Sequence, residues 1–170
     1  MYHDAQLLFT KQTDGTLYQV ISGAAGTTNS TNIIDFGAAG TPAQGLEMLY
    51  RKDRGNKMPF LAQVVGPGGI TDTGFAGSGG TSVQLVLQCD DDSAFGSAQT
   101  LYTSAAIAVA TLVPGYRFLI DELPPATAAI AADSRYFRCR FVTLGTITPV
   151  ATTSTCAVQA GFVAGLQDMF

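Results

Sequence analysis

The chain has 170 residues, of which 46% are hydrophobic and only 13% are charged, and its net charge at pH 7 is −4. Soluble chains usually carry about 25% charged residues, so part of this surface is expected to face another protein rather than water. Nucleic-acid binding is disfavoured, because it requires a basic stripe that neutralises phosphates. The densest basic stretch, Arg51–Lys57, contains Asp53 and is interpreted as a solvated loop rather than a phosphate site.

The cysteines and the start of the chain bear on its compartment. Cys89, Cys139 and Cys156 are far apart and form no CxxC pair, which is typical of buried thiols in a reducing compartment. No basic region followed by an apolar run opens the sequence, so we expect no signal peptide. The longest apolar stretch, 105–113, has about half of the length that a membrane helix needs. We therefore expect no membrane partner and a cytosol-like environment until the protein joins an assembly.

Short runs with a period of two, bounded by turn residues, predict strands throughout the chain. Residues 1–10 are interpreted as an N-terminal arm or a first strand, and the arm could add to the sheet of a neighbour. In chain order, the predicted strands are 17–22, 31–36, 60–65, 82–89, 99–104, 107–112, 116–121, 135–142 and 156–164. The segments 23–30, 37–45 and 66–81 are expected to be loops, of which 66–81 is long and flexible.

Two of these strands show the alternation most clearly. In 82–89 the expected inward side chains are Val83, Leu85, Leu87 and Cys89, and the outward ones include Gln84 and Gln88. In 135–142 the inward set is Phe137, Cys139 and Phe141, and the outward set is Tyr136, Arg138 and Arg140. Eight or nine such strands without a crossover helix predict one all-β domain over 1–170, an antiparallel β-sandwich of the jelly-roll type with long Gly-rich loops.

A search for catalytic and cofactor chemistry finds no convincing site. His3 is the only histidine and lies near the start of the chain, which argues against Ser-His or Cys-His catalysis. The acidic cluster Asp90–Asp92 follows a predicted strand, so a turn or helix-cap role is favoured over a divalent cation site. The Gly-rich segments lack the spacing of phosphate-binding loops. We expect no enzyme activity, no metal and no cofactor.

A series of short motifs, taken in order, resembles a known family. They are Asp4–Phe9, Ser30–Gly37, Leu85–Asp92 with Phe95, Pro114–Gly115, Leu123–Pro125 and Arg135–Arg138. In this order and spacing the set resembles the capsid cement proteins of short-tailed double-stranded DNA bacteriophages, typified by a Bordetella phage. The resemblance extends from Asp4 to about Ala164, and the long loop after Val65 and the segment 126–132 depart from it.

This resemblance implies a jelly-roll fold and a non-enzymatic protein that attaches, as an oligomer, to the outer face of the capsid shell. The implied partners are the major capsid protein and further copies of the chain, with a dimer favoured and a trimer possible. The implied location is the virion surface, after assembly in the host cytoplasm. The residues that we expect to contact the capsid or another copy are Asp4, Gln6, Leu8, Asn32, Asp35, Arg51, Arg54, Arg138 and Arg140. For the basic face that includes Arg138 and Arg140, a solvated or intramolecularly paired face is favoured over contact with acidic capsid residues.

A second function class stays open on the sequence alone. A carbohydrate- or receptor-binding β-sandwich of a phage or bacterium would also be all-β and lack catalytic residues. Such a module needs exposed aromatic side chains, and without tryptophan the candidates are Tyr2, Tyr50 and Tyr102.

Overall fold

A computed structural model of the chain describes residues 8–21, 24–35, 60–66, 75–77, 81–120, 135–149 and 157–162. Twelve strands lie in these ranges. They are β1 Gln19–Val20, β2 Gly26–Asn29, β3 Ile34–Asp35, β4 Phe60–Val65, β5 Phe75–Gly77, β6 Ser82–Asp90, β7 Gln99–Thr103, β8 Ile107–Ala108, β9 Arg117–Ile120, β10 Tyr136–Leu144, β11 Ile147–Pro149 and β12 Ala157–Phe162.

The strands form two main sheets in which every pairing is antiparallel. The larger sheet has the order β2-β10-β6-β7, with β3 also beside β10 and β8 also beside β6. The smaller sheet has the order β1-β12-β4-β9. A short third ribbon pairs β11 with β5.

The core lies between the two main sheets because each sheet turns an apolar face inward. The predicted inward side chains of β6 and β10 are all buried: Val83, Leu85, Leu87, Cys89, Phe137, Cys139 and Phe141. They join one hydrophobic cluster with side chains of the smaller sheet, namely Phe60, Ala62, Val64, Phe118, Val158 and Ala160. Each large apolar side chain that is removed from water contributes about 1.5–3 kcal/mol to folding. The fold is therefore all-β and built as an antiparallel sandwich, as predicted.

The jelly-roll connectivity stays a prediction. Several connections between the strands, including 36–59 and 121–134, lie outside the described residues. Within the described ranges, the only helical element is one 3-10 turn, Val109–Thr111. It occupies part of the strand predicted over 107–112, whose extended part ends at Ala108.

Two segments that were expected to be loops contain strands. β2 lies within 23–30, and β5 lies within 66–81. Both are short and contain glycine, so their sequences lack the apolar alternation by which a strand is recognised. Backbone pairing forms them instead, β2 against β10 and β5 against β11. Phe75 at the start of β5 is buried, which ties this part of the segment to the core.

The end of the N-terminal segment pairs within its own sheet. Leu8 forms an antiparallel bridge with Gly161, and the Phe9 N–H donates to the carbonyl of Ala160 at 2.8 Å. The Thr10 hydroxyl then accepts a hydrogen bond from the Ala160 N–H at 3.1 Å. It also donates to the carbonyl of Leu17 at 3.0 Å. Leu8 and strand β1 both pair with β12, and the Thr10 hydroxyl forms hydrogen bonds with backbone groups that lie between these two pairings.

Two of the three cysteines lie in the core, as the alternation predicted. Cys89 and Cys139 are buried on the inward faces of β6 and β10, and Cys156 lies outside the described residues. Burial raises the pKa of the Cys139 thiol above its ordinary value, although a backbone hydrogen bond at Arg140 acts in the opposite direction. A thiol in such surroundings stays protonated and packs as a small apolar group.

Candidate functional site

The larger sheet turns its second side away from the core, and we call this side the outer face. Residues that pair across neighbouring strands share a face of the sheet. On β6 and β10 the outer-face pairs are Ser82–Leu144, Gln84–Val142, Val86–Arg140, Gln88–Arg138 and Asp90–Tyr136. Thr27 and Asn29 of β2 extend these rows on one side, and Thr100 and Thr103 of β7 extend them on the other. Of these residues Arg138, Arg140 and Asp90 are charged at neutral pH, and Asp35 of β3, opposite Tyr136, is charged as well. The other side chains of these rows are neutral.

Arg138 and Arg140 form a basic pair on this face and share one neutral acceptor. Arg138 Nε donates to Gln88 Oε1 at 2.9 Å, and Arg140 Nη1 donates to the same oxygen at 3.3 Å. Gln88 is only 6% exposed. Its Nε2 donates to Thr100 Oγ1 at 3.4 Å, across a register shift between β6 and β7 that brings Thr100 opposite it. The acceptor is therefore fixed on both sides.

Phe95 holds the guanidinium of Arg138 from a turn that follows β6. The Arg138 Cζ lies 4.1 Å from the centroid of the Phe95 ring, which is the geometry of a cation–π contact. Partial burial lowers the pKa of Arg138, the positive charge of Arg140 lowers it further, and Asp90 acts in the opposite direction. The pair thus consists of two like charges held close together by contacts within the chain.

Arg140 contains a buried donor that has no hydrogen-bond acceptor. Its Nε is shielded from solvent, and within the described part of the chain no side chain or carbonyl accepts from it. More than about nine in ten buried polar groups in proteins have a partner. An unsatisfied donor on a cation is costly, so the described contacts leave Arg140 incompletely stabilised in this conformation.

Asp90 and Asp92 organise the turn that carries Phe95. Asp90 is 2% exposed and accepts from the Asp92 N–H at 3.2 Å, the Ser97 N–H at 3.0 Å and the Ser97 hydroxyl at 3.0 Å. Burial acts to raise the pKa of Asp90, but hydrogen bonds involving Asp91, Asp92 and Ser97 outweigh it and lower the pKa. Asp92 accepts from the Ala94 N–H at 3.1 Å. The turn role predicted for this cluster is confirmed for Asp90 and Asp92.

Three of the expected contact residues have contacts within the chain. Leu8 is 0% exposed, so it has no surface to offer a partner, and the expectation for Leu8 is corrected. Asn32 donates from Nδ2 to the Leu8 carbonyl at 2.8 Å. Asp35 accepts from Arg135 in a two-point ion pair, in which Arg135 Nε lies 2.8 Å from Asp35 Oδ1. These contacts show Asn32 and Asp35 stabilising their own fold.

The remaining expected residues divide into two groups. Arg138 and Arg140 lie together on the outer face, as predicted, and are the part of the expected site that the structure assembles. Asp4, Gln6, Arg51 and Arg54 lie outside the described residues, as do Tyr2 and Tyr50 of the alternative sugar-binding function. Tyr102 is only partly exposed and packs against the hydrophobic core, so it offers no open aromatic platform.

Gln88 and Phe95 were absent from the expected contact residues. Alternation placed Gln88 on the outward side of its strand, but only the register of β6 against β10 shows that it lies opposite Arg138. Phe95 would ordinarily be assigned to the core. No sequence signal indicates that its ring contacts an arginine of a strand more than 40 residues away along the chain.

Comparison with known proteins identifies a family for most of the chain. Residues 19–156 match the family model described as Bbp16, a name that suggests a Bordetella phage protein and is compatible with a phage structural role. A search of curated proteins gives no match. Among the described residues there is no helix long and apolar enough to cross a membrane, and no group of three metal-binding side chains. The match includes Gln88, Phe95, Arg138 and Arg140 and spans well over half of the sequence, so the chain belongs to the Bbp16 family.

Proposed function

We propose that the protein is a non-enzymatic cement (decoration) protein of a bacteriophage capsid. In this role it binds the outer face of the shell formed by the major capsid protein, bridges neighbouring capsomers and stabilises the virion. Membership in the Bbp16 family over residues 19–156 carries the proposal, because the family name suggests a phage protein. The ordered motifs that resemble cement proteins support the same assignment.

The outer face of the larger sheet has the character of a protein-binding surface, which supports the proposal. A cement protein acts by burying surface against the shell, and specific protein interfaces bury about 1,200–2,000 Å² in total. The centres of such interfaces are depleted of most charged residues, while arginine and tyrosine are enriched. The outer face has this character: it carries Arg138, Arg140 and Tyr136 among mostly uncharged side chains. Leu144 at its edge is 47% exposed, which adds apolar surface.

The sandwich also suits a mechanical role. Two sheets packed over a continuous core resist deformation, because close-packed interiors have low compressibility. Many copies on one shell multiply modest individual contacts through avidity. We propose that the protein is assembled in the host cytoplasm and then resides on the virion surface. There it would act as a homo-oligomer, with a dimer favoured and a trimer possible, and it would need no cofactor, nucleic acid or membrane.

Reconstitution on shells tests the proposal. Purified capsids that lack the protein are mixed with it, unbound protein is removed by sedimentation, and the shells are melted by calorimetry. We expect saturable binding at a fixed number of copies per shell and a higher melting temperature. Protein unfolded by heat before mixing is the control for non-specific adsorption. If the folded protein neither sediments with shells nor changes their melting, the cement assignment is wrong.

A further inference from the structure

We propose that Arg138 and Arg140 form a binding site for a carboxylate, and that an Asp or Glu side chain of a partner protein occupies it. The carboxylate site follows from contacts on the outer face alone. Naming the capsid protein as the partner rests on the proposed function.

Among the described residues, the basic pair donates to a neutral acceptor rather than to a carboxylate. Both guanidinium groups donate to Gln88 Oε1, a neutral oxygen, and neither makes an ion pair with a carboxylate in the described ranges. Arg135, close by on the same segment, forms a two-point pair with Asp35. Among the described residues, Arg135 thus pairs with a carboxylate, whereas Arg138 and Arg140 share the amide oxygen of Gln88.

Arg140 is the arginine whose hydrogen bonding the described contacts leave incomplete. Its Nε is buried and has no acceptor among the described residues, whereas its Nη1 donates to Gln88. A carboxylate oxygen is the strongest acceptor that proteins offer to a guanidinium, and two-point pairing is its usual geometry. Arg138 and Arg140 are each partly exposed. A carboxylate bound to them would offset the repulsion between the two cations, and it would satisfy Nε once the Arg140 side chain turned toward it.

The site is held in place before any ligand arrives. Phe95 stacks on Arg138, and Gln88 fixes both arginines while Thr100 fixes Gln88. Arginine side chains lose much rotational freedom when they bind, and here part of that loss has already occurred. Such pre-organisation favours recognition of one small planar group.

The surroundings favour a protein acid over a nucleic-acid phosphate. Polynucleotides require a row of cations along the backbone, and the described neighbours of the pair on this face are neutral, as Asn29 and Thr103 are, or acidic, as Asp90 is. Asp91 and Asp92 are exposed on the turn that carries Phe95 and would repel a polyanion. A single carboxylate is small enough to bind at the basic pair without extending over Asp91 and Asp92.

Side-chain NMR provides a direct test. Protein with ¹⁵N-labelled arginine is titrated with glutarate at constant ionic strength, and the Nε–Hε signals are followed. We expect saturable shifts for Arg138 and Arg140, and none for Arg135, which already binds Asp35. Inorganic phosphate and chloride are titrated in parallel. Shifts that fail to saturate, or equal responses to glutarate and phosphate, would overturn the carboxylate assignment.

Gln88→Glu is the matched variant, because it is nearly isosteric and supplies the carboxylate from within the chain. We expect it to fold and to lose the glutarate response. Arg140→Lys keeps the charge but lacks the Nε donor, and we expect binding about tenfold weaker or more. A glutarate response that survives in Gln88→Glu, in protein with a native melting temperature, would contradict the proposal.

Shell binding separates this inference from the proposed function. If Gln88→Glu binds capsids at least about tenfold more weakly than the natural chain, the acidic partner is on the capsid. Equal capsid binding by both proteins would overturn the capsid as the source of the carboxylate. If neither protein binds shells while glutarate still binds the natural chain, the cement function fails and the carboxylate site stands.

Discussion

The guanidinium of Arg138 lies 4.1 Å from the ring centroid of Phe95, although one residue belongs to a central strand and the other to a turn. Phe95 has a φ of +56°, which is a left-handed conformation that non-glycine residues rarely adopt. Such a backbone costs about 1–3 kcal/mol and persists only when other contacts stabilise it. Here the ring is 7% exposed, and its burial and the cation–π contact offset that cost.

A double-mutant cycle between Phe95 and Arg138 measures this contact. Phe95→Leu keeps an apolar side chain but removes the π face, and Arg138→Ala removes the cation. We expect a coupling free energy of about 0.5–2 kcal/mol in urea unfolding at moderate salt. Arg135 makes its contacts elsewhere: its Cζ lies 4.6 Å from the centroid of the Tyr136 ring, and its guanidinium pairs with Asp35. The cycle between Phe95 and Arg135 is therefore a control, and we expect no coupling in it.

Gly145 is the glycine whose replacement we expect to destabilise the fold most among those with described surroundings. Its φ is +91°, and a Cβ at this position would lie 2.6 Å from Thr81 Oγ1 and 3.2 Å from Thr81 Cα. Gly15 has a φ of +89° with nothing within 4 Å, so Gly15→Ala measures the backbone strain alone. We expect about 1–2 kcal/mol for Gly15→Ala and a larger loss for Gly145→Ala in chemical unfolding. Equal losses would show that Thr81 moves aside without cost.

Thr10 carries hydrogen bonds that a valine of the same shape cannot make. Thr10→Val leaves the buried Ala160 N–H without its acceptor, and we expect a loss of about 1–3 kcal/mol in the free energy of unfolding. Thr10→Ser keeps the hydroxyl and is the matched control, with a smaller loss. Amide exchange at Ala160 should accelerate in Thr10→Val and not in Thr10→Ser. Unchanged exchange in the valine variant would mean that another group accepts from this amide.

The central strands could be predicted from the sequence because their alternation records burial directly. β4 has the predicted bounds, Phe60–Val65, and β6 ends one residue later than predicted, at Asp90. The short strands at the edges of the sheets could not be predicted from the sequence. Glycine and threonine in β2 satisfy their backbone through β10, which is a tertiary effect that no local pattern contains.

The candidate site could be predicted only in part, for a related reason. Alternation places Arg138 and Arg140 on the outward side of one strand, but it does not say which residues lie beside them. Gln88 becomes their shared acceptor through strand register, and Phe95 reaches them through a turn held by Asp90. Asp35 was expected to contact the capsid or another copy of the chain. Arg135 pairs with it across 100 residues.

The carboxylate of Asp90 should make stability depend on pH in the acidic range. Its pKa in the folded chain is below the ordinary value of 3.8, so the folded state binds this proton less tightly than the unfolded state does. The stabilisation is fully present above the ordinary value and is lost as the pH falls through the lower folded-state value. In unfolding titrations between pH 7 and pH 2, we expect Asp90→Asn to be less stable than the natural chain above about pH 5 and the difference to shrink below that. Ser97→Ala removes one of the donors to the carboxylate and should show the same trend with a smaller amplitude. A difference that stays constant down to pH 2 would mean that the Asp90 side chain acts through its shape rather than its charge.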